Sequence, residues 1–499
     1  MAATEPPSSP PSTGRQAAWN YLVFALSKSS TLLMTVVVAR ILDPTEFGLF
    51  ALALLVVNIF EYVKDLGVGA ALVQSRRDWS MLAPTGLTLS VIFGVLASAV
   101  LAATADLTAG ALKHPDLAPM IRVLAIALAL NALSTVPAAW LRRSMNFRAR
   151  ILPEFAGAVA KTGLTIGLAF GGFGVWSLVY GQLAATAVMT PLYWLAAGRA
   201  PRFGLDRALG GELLRFGMPV TAVTLLAYAI YNVDYLAVGT RLGADDLGLY
   251  TLAYRLPELL VLNLCVVVSD VLFSALSGLQ HDREGLGNHY LRALPVVMAL
   301  TAPIGIGMAV AAAPLVQTLY GDQYAGSAPI LAVLALYTVI YSASFHAGDV
   351  FKAIGRPGVL TAVSAAKLIV VIGPIWWAAG YNAVMVAWAL LATEVVHFII
   401  RMAALHRVMT FRWTDLTRAL LGPVLAAAGM GLGAWGLSRV TEGLVAPLEL
   451  ALLAVAGAVL YLALLRLTAP QLFAAGVRLV RSRVGAPQVT APAKPKEGP

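Results

Sequence analysis

The chain has 499 residues, 59% of them hydrophobic and 12% charged. Soluble proteins carry about a quarter charged residues, so these few charges could not cover a soluble globule of this length, and lipid must solvate most of the chain. The formal net charge of +10 sits mainly in loops between apolar segments, so membrane topology accounts for it and nucleic-acid binding is not needed.

Residues 1–14 are rich in Pro, Ser and Thr, with Glu5 the one charge, and are expected to be disordered. The apolar segment that follows, 17–39, is too long for the core of a cleavable signal and reads as the first spanning helix. Segments of about twenty largely apolar residues then follow at 47–71, 81–104, 118–140, 151–171, 173–197, 212–238, 247–275, 293–318, 327–351, 358–379, 381–400, 417–438 and 445–465. The expected fold class is therefore an all-α polytopic membrane protein with about fourteen transmembrane helices. From Arg466 the tail is basic and Pro-rich, and residues 467–499 are expected to be mostly disordered and cytoplasmic.

Loop charge orients these helices. With the N-terminus cytoplasmic, the inner segments hold Arg76, Arg77, Arg142, Arg143, Arg148, Arg150, Arg199, Arg202 and others, roughly 25 of the 35 Lys and Arg residues. The outer segments hold Arg40, Lys113, Arg122, Arg241 and Arg439. That bias predicts an even number of spans in the cytoplasmic membrane, with both termini cytoplasmic.

The sequence also repeats itself. Residues 42–53 (LDPTEFGLFALA) match 242–253 (LGADDLGLYTLA), and Ala160, Lys161, Ile166, Gly167 and Gly174 match Ala366, Lys367, Ile372, Gly373 and Gly380. The matches come in order at nearly one offset. They imply two six-helix lobes in parallel orientation, 15–205 and 206–410, followed by an appended pair at 411–466. Lobes so related enclose a central cavity and rock to alternate access.

Five basic residues fall well inside apolar segments: Lys28, Lys64, Lys161, Arg255 and Lys367. A charge near the bilayer centre costs about 3 kcal/mol or more, so each needs a partner or a wet cavity. Lys64 has Glu61 three residues before it and Arg255 has Glu258 three after, spacings that allow pairing within one helix. Lys28, Lys161 and Lys367 have no such neighbour and are expected to face the cavity. The seventh segment places Thr221, Thr224, Tyr228, Tyr231, Asn232 and Tyr235 on one face, chemistry that suits the apolar faces and hydroxyls of sugars. Glu61, Asp65 and Asp234 are candidates for coupling to a cation. His346, Asp349, Lys352, Glu394, His397 and Arg401 form further polar faces, Arg401 near an interface where it can snorkel.

Several signatures are missing. No Gly-Lys dipeptide occurs, so there is no P-loop. The six His and single Cys265 show no metal-ligand spacing and no disulfide partner, so neither metal nor cofactor is expected. No G-x-S-x-G elbow stands out, and Asp245-Asp246 reads as a helix start rather than a catalytic pair. An enzyme is not expected.

Several stretches carry a resemblance. They are 39–50 (ARILDPTEFGLF), 65–74 (DLGVGAALVQ), 142–148 (RRSMNFR), 172–179 (GFGVWSLV), 232–235 (NVDY), 247–250 (LGLY), 279–282 (LQHD) and 355–357 (GRP). Over about 15–440 the chain resembles the oligosaccharide flippases of the multidrug/oligosaccharidyl-lipid/polysaccharide exporter superfamily, in the polysaccharide or lipopolysaccharide biosynthesis branch. The resemblance implies a V-shaped cavity and outward transport of polyprenyl-pyrophosphate-linked oligosaccharides, with the lipid-linked sugar and the bilayer as partners. A polymerase and glycosyltransferases of the same pathway are further implied partners, and the protein is expected to act as a monomer. By position, Lys28, Lys64 and Arg255 are the cationic residues the resemblance favours. A cation-coupled drug antiporter of the same superfamily and a membrane polymerase or ligase are the alternative functions.

Overall fold

Several of the long helices in this chain start after an Asp or Asn whose side chain accepts a first-turn N–H. The computed structural model describes residues 29–200, 202–279 and 282–484, and the described residues form helices joined by short turns, without a strand. In the N-terminal part these are α1 (Ser29–Ala39), α2 (Pro44–Val63), α3 (Val68–Gln74), α4 (Trp79–Ala103), α5 (Ala105–Ala111), α6 (Leu117–Arg143), α7 (Phe147–Phe170) and α8 (Trp176–Ala197). Next come α9 (Arg207–Arg241), α10 (Ala244–Pro257), α11 (Asn263–Ser277), α12 (Arg283–Val310), α13 (Ala312–Leu319), α14 (Ser327–Phe345), α15 (Ala347–Ala353), α16 (Pro357–Ala378) and α17 (Ala383–His406). The chain ends on α18 (Trp413–Thr441), α19 (Ala446–Thr468) and α20 (Pro470–Val484).

Among the described residues, 11 helices are long and apolar enough to cross a membrane, and Ser29–Ala39 is a shorter apolar one. The helices α7 and α8 have the length, 24 and 22 residues, but Arg148, Arg150, Glu154 and Lys161 on α7 and Gln182 on α8 dilute their hydropathy. The protein is a multi-pass membrane protein; the described residues give 11 such helices by length and composition, where the sequence suggests fourteen and part of the first segment, 17–39, lies outside the described residues.

Capping shows how the sequence sets these limits. Asp43 accepts from the Glu46 N–H at 2.9 Å while Glu46 accepts from the Asp43 N–H at 3.1 Å, and Pro44 opens the helix. Asp206 caps α9 by accepting from the Ala208 and Leu209 N–H groups at 2.8 and 3.1 Å. Asp245 and Asp246 lie in the first turn of α10, where negative charge is favourable.

Three features differ from the sequence expectation. The segment 47–71 is broken, because Leu66 and Gly67 take left-handed backbone angles (φ 47° and 74°) that end α2 and start α3. The segment 247–275 runs from α10 into α11 through a π turn, Glu258–Leu262, directly after Pro257. Proline lacks the N–H of a normal helical turn, and the wider turn absorbs that loss. The tail expected to be mostly disordered carries α20, in which Leu472, Phe473 and Val477 recur at helical spacing.

The largest apolar core joins α1, α2, α6, α10, α14 and α17, so it spans both repeat copies. The helices α18 and α19 pack on α12, with the Tyr461 hydroxyl donating to the Ala299 carbonyl at 2.7 Å. Their outer faces expose Leu432, Val440, Val455 and Val459, as lipid-facing helices should.

The repeated stretches pack on each other. They open α2 and α10, and the Thr45 hydroxyl reaches Asp245 at 3.4 Å. At the same end the Tyr324 hydroxyl donates to the Leu42 carbonyl at 2.9 Å, the Gln323 amide to the Ala39 carbonyl at 2.6 Å, and Arg40 to the Thr318 carbonyl. The halves are thus closed at the end bearing residues 39–48. Towards the other end α9 carries the main contact, with Arg77 on Glu212 at 2.8 Å.

Candidate functional site

A cavity of about 470 Å³ lies between α1, α2, α7 and α8 on one side and α9 and α10 on the other. Lys161 and Asn58 line it from the first half; Tyr228, Tyr231, Asn232, Tyr235, Tyr254, Arg255 and Glu258 line it from the second. Six of the sequence candidates therefore share one cavity: Lys161, Arg255, Tyr228, Tyr231, Asn232 and Tyr235.

Local packing fixes each group. The Lys161 ammonium donates to the Gln182 amide oxygen at 2.7 Å, a neutral partner that leaves its charge in place. Arg255 donates to Glu258 at 3.2 Å across the turn where the π segment begins, and both side chains stay about one-third exposed. Among the described residues Lys161 has no carboxylate within ion-pair distance, so these three groups sum to one positive charge. The Tyr228 hydroxyl donates to the Leu55 carbonyl at 2.9 Å, and the Asn232 amide to the Tyr228 carbonyl at 2.8 Å. The Tyr231 hydroxyl meets that of Tyr341 at 3.2 Å.

Several contributors escaped the sequence reading. Gln182, Thr251 and Tyr254 were not singled out, nor were Tyr337 and Tyr341 behind the cavity wall. Ring contacts of 5.5 to 6.4 Å run from Tyr235 through Tyr250, Tyr254 and Tyr337 to Tyr341. The signal was present as tyrosines four apart, 250/254 on α10 and 337/341 on α14.

Lys64 and Lys367 do not line this cavity. Lys64 is buried in an ion pair with Glu61, which also accepts from the Asn131 amide at 2.6 Å. The pair borders a second cavity of about 350 Å³, whose lining also holds Asp65, Arg142, Thr221 and Thr224. Tyr62 and Tyr228, with ring centres 5.2 Å apart, belong one to each cavity lining. Lys367 lies in a buried cluster, with Glu394 at 2.7 Å and His397 on the other carboxylate oxygen at 3.3 Å. The rings of Tyr231, Tyr337 and Tyr341 surround its ammonium at 5.4 to 5.9 Å. Its partner sits on the next helix, which a search limited to i±3 and i±4 does not reach. Arg401, expected to snorkel, is instead buried and donates to the Ser344 carbonyl at 3.2 Å. Lys28 lies outside the described residues.

The acidic candidates are all engaged. Asp65 accepts from the Gly67 and Gly69 N–H groups at 3.1 and 3.0 Å, and buried Asp234 accepts from the Tyr250 hydroxyl at 2.7 Å. Glu61 is held by Lys64 and Asn131. Among the described residues no three His, Cys, Asp or Glu side chains gather into a metal site.

A family model described as "Polysaccharide biosynthesis protein" matches residues 37–329, more than half of the chain and nearly all of the cavity-lining segments. The chain belongs to that family. Among individual relatives, the teichuronic acid biosynthesis protein TuaB of Bacillus subtilis is 25% identical over 82% of this chain and 86% of its own length. The lipopolysaccharide biosynthesis protein WzxC of Escherichia coli is 27% identical over 68% of this chain and 70% of its own. The succinoglycan biosynthesis transport protein ExoT of Rhizobium meliloti is 28% identical over 69% and 70%. In fold, the chain is similar to the lipid II flippase MurJ, with a TM-score of 0.72 at 14% identity, over 91% of this chain and 99% of that one. A MATE transporter described as inward-facing gives 0.61 at 17% identity, over 77% and 95%.

Proposed function

We propose that the protein moves a lipid-linked saccharide across the membrane by alternating access, for assembly of a surface polysaccharide. The observation that carries this reading is the central cavity. Lys161 from one repeat half and Arg255 from the other face one space, with one net positive charge and a wall of tyrosines and amides. Such a cavity suits a phosphate- or pyrophosphate-bearing carrier at the basic side and sugar rings on the tyrosines. The names of the relatives, which refer to lipopolysaccharide, teichuronic acid and succinoglycan biosynthesis, support the same reading.

Loop charge supports insertion in the cytoplasmic membrane with both termini inside. On that orientation the end closed by residues 39–48 and 318–326 is the outer one, and the structure is the state closed to the outside. The lobes 15–205 and 206–410 rock about α9, with 411–466 appended to the second lobe. Glycosyltransferases and a polymerase of the same pathway supply and consume the cargo.

The alternative of a cation-coupled drug antiporter calls for available carboxylates, and Glu61, Asp65 and Asp234 each have a partner. Transport is tested by placing the purified protein in vesicles loaded with a fluorescent polyprenyl-pyrophosphate oligosaccharide and following how the inner-leaflet pool loses its protection from an impermeant quencher added outside. The reading requires protein-dependent translocation; vesicles with protein that match protein-free vesicles would overturn it.

A further inference from the structure

We propose that the pocket between α4, α6 and α8, at their arginine-rich ends, binds the phosphate headgroup of an anionic membrane phospholipid. It has a volume of about 340 Å³ and is lined by Trp79, Ser80, Trp140, Trp194, Arg199 and Arg202, none of which lines the central cavity.

The walls are rigid and aromatic. Trp79 and Trp140 pack with ring centres 5.1 Å apart, and the Trp194 indole N–H is spent on the Leu133 carbonyl at 3.1 Å. The Arg199 guanidinium stacks 3.9 Å from the centre of the Trp140 ring. A guanidinium held by its face keeps its in-plane N–H donors for a planar or phosphate acceptor. Arg143, 5.6 Å over Trp79, has spent donors on the Leu72 and Arg77 carbonyls at 3.2 and 2.6 Å.

The local charge is not neutralised. Among the described residues neither Arg199 nor Arg202 has a carboxylate within ion-pair distance. The nearby acid, Asp78, accepts the Ser80 N–H and hydroxyl, each at 2.8 Å. Those bonds hold its carboxyl below the usual range, with Arg143 and Arg199 contributing. A headgroup phosphate would supply the missing acceptor.

Position selects a lipid. The pocket lies where three helices end, beside Met81 and Leu195, which are 56% and 73% exposed. Tryptophan with arginine at that level is the chemistry of the headgroup layer. A contrasting pair sits in the last turns of α18: Arg439 lies 5.1 Å over Trp435 but pairs with Glu442 and borders none of the cavities described above. One wall of the pocket is formed by Gly198, Arg199, Ala200 and Arg202 of the connection between the two repeat halves. It is strapped to α4 by the Gly204 N–H on Thr88 at 3.1 Å and the Asp206 N–H on Thr85 at 3.1 Å. A bound headgroup therefore ties the bilayer surface to the segment between the halves.

The full-length protein, purified in detergent, is titrated with short-chain phosphatidylglycerol, phosphatidylcholine or inorganic phosphate, and bound lipid is read by native mass spectrometry. Phosphatidylglycerol is expected to bind well above phosphatidylcholine, and Arg199→Gln with Arg202→Gln to weaken it by about fivefold for each arginine removed. Arg439→Gln is expected to leave the preference intact. If the double variant does not fold, Ser80→Glu, which places a carboxylate on the pocket rim, is expected to abolish the preference. Equal binding of the two lipids, or a preference that survives both sets of changes, would overturn the proposal. So would inorganic phosphate displacing the lipid at equal concentration, which marks a free-anion site.

Discussion

Gly48 and Gly248, at matching positions of the two repeat copies, clamp α2 and α10 together. A Cβ on Gly48 would overlap the carbonyl oxygen of Ala244, and one on Gly248 would overlap that of Pro44. Each glycine lets the start of the other copy's helix approach backbone to backbone, so the contact is a near-symmetric pair.

Both overlaps involve backbone, which cannot rotate away as a flexible side chain would. Gly48→Ala or Gly248→Ala therefore has to push α2 and α10 apart, at a cost of about 1–3 kcal/mol. We expect either change to open the end closed by residues 39–48. The check is labelling of Ala51→Cys, in the cavity, by an impermeant thiol reagent added outside, in a Cys265→Ala background. Labelling should rise in both glycine variants; unchanged labelling would mean the crossing does not gate access.

Lys161 is the cavity cation without an acidic partner. If its charge holds the anionic part of the cargo, Lys161→Ala should cut transport by about tenfold or more, the worth of a charged hydrogen bond. Lys161→Arg should recover a substantial part. The exposed Arg76→Ala should leave transport unchanged, since Arg76 lines none of the cavities. The transport assay described above reads all three, and equal rates across them would assign Lys161 to packing.

How much of this was legible depended on the range of the signal. Helix positions follow from local hydropathy, and nearly every described residue of the fourteen segments is helical. Lys64–Glu61 and Arg255–Glu258 were readable because i,i+3 spacing decides the contact within one helix. Lys367 with Glu394 was not, since the pair bridges α16 and α17, and only the packing of those helices brings them together. The same limit separated Lys161 from Lys367. Matched by the repeat, they looked equivalent, yet one faces the cavity with neutral Gln182 while the other is neutralised inside its half. The break after α2 also hid: Gly67 is a residue type that favours a left-handed turn, but Leu66 beside it rarely takes a positive φ and gives no sequence hint of one.

That break predicts its own sensitivity. Asp65 holds the turn by accepting from two N–H groups that no helix satisfies. Asp65→Ala should lose about 1 kcal/mol, as for other capping acids, and Gly67→Ala more, because φ is 74° there and the Gly217 backbone lies against it. Thermal unfolding in detergent measures both. A larger loss for Asp65→Ala than for Gly67→Ala would mean that Asp65 does more than cap the turn.

The buried Lys367–Glu394 pair gives the last test. Both side chains are nearly inaccessible, and Glu394 also meets His397. Removing one charge leaves the other uncompensated, so Lys367→Met alone or Glu394→Gln alone should destabilise by about 3–5 kcal/mol. Removing both should restore much of that loss, since a neutral pair of similar volume carries no desolvation penalty. Unfolding of the two single variants and the double variant closes a thermodynamic cycle, whose coupling term isolates the pair. A double variant as unstable as the sum of the singles would show that the charges do not depend on each other. A double variant that is stable yet inactive would show that the cluster, a few ångströms behind Tyr231 of the cavity wall, takes part in transport and not in packing alone.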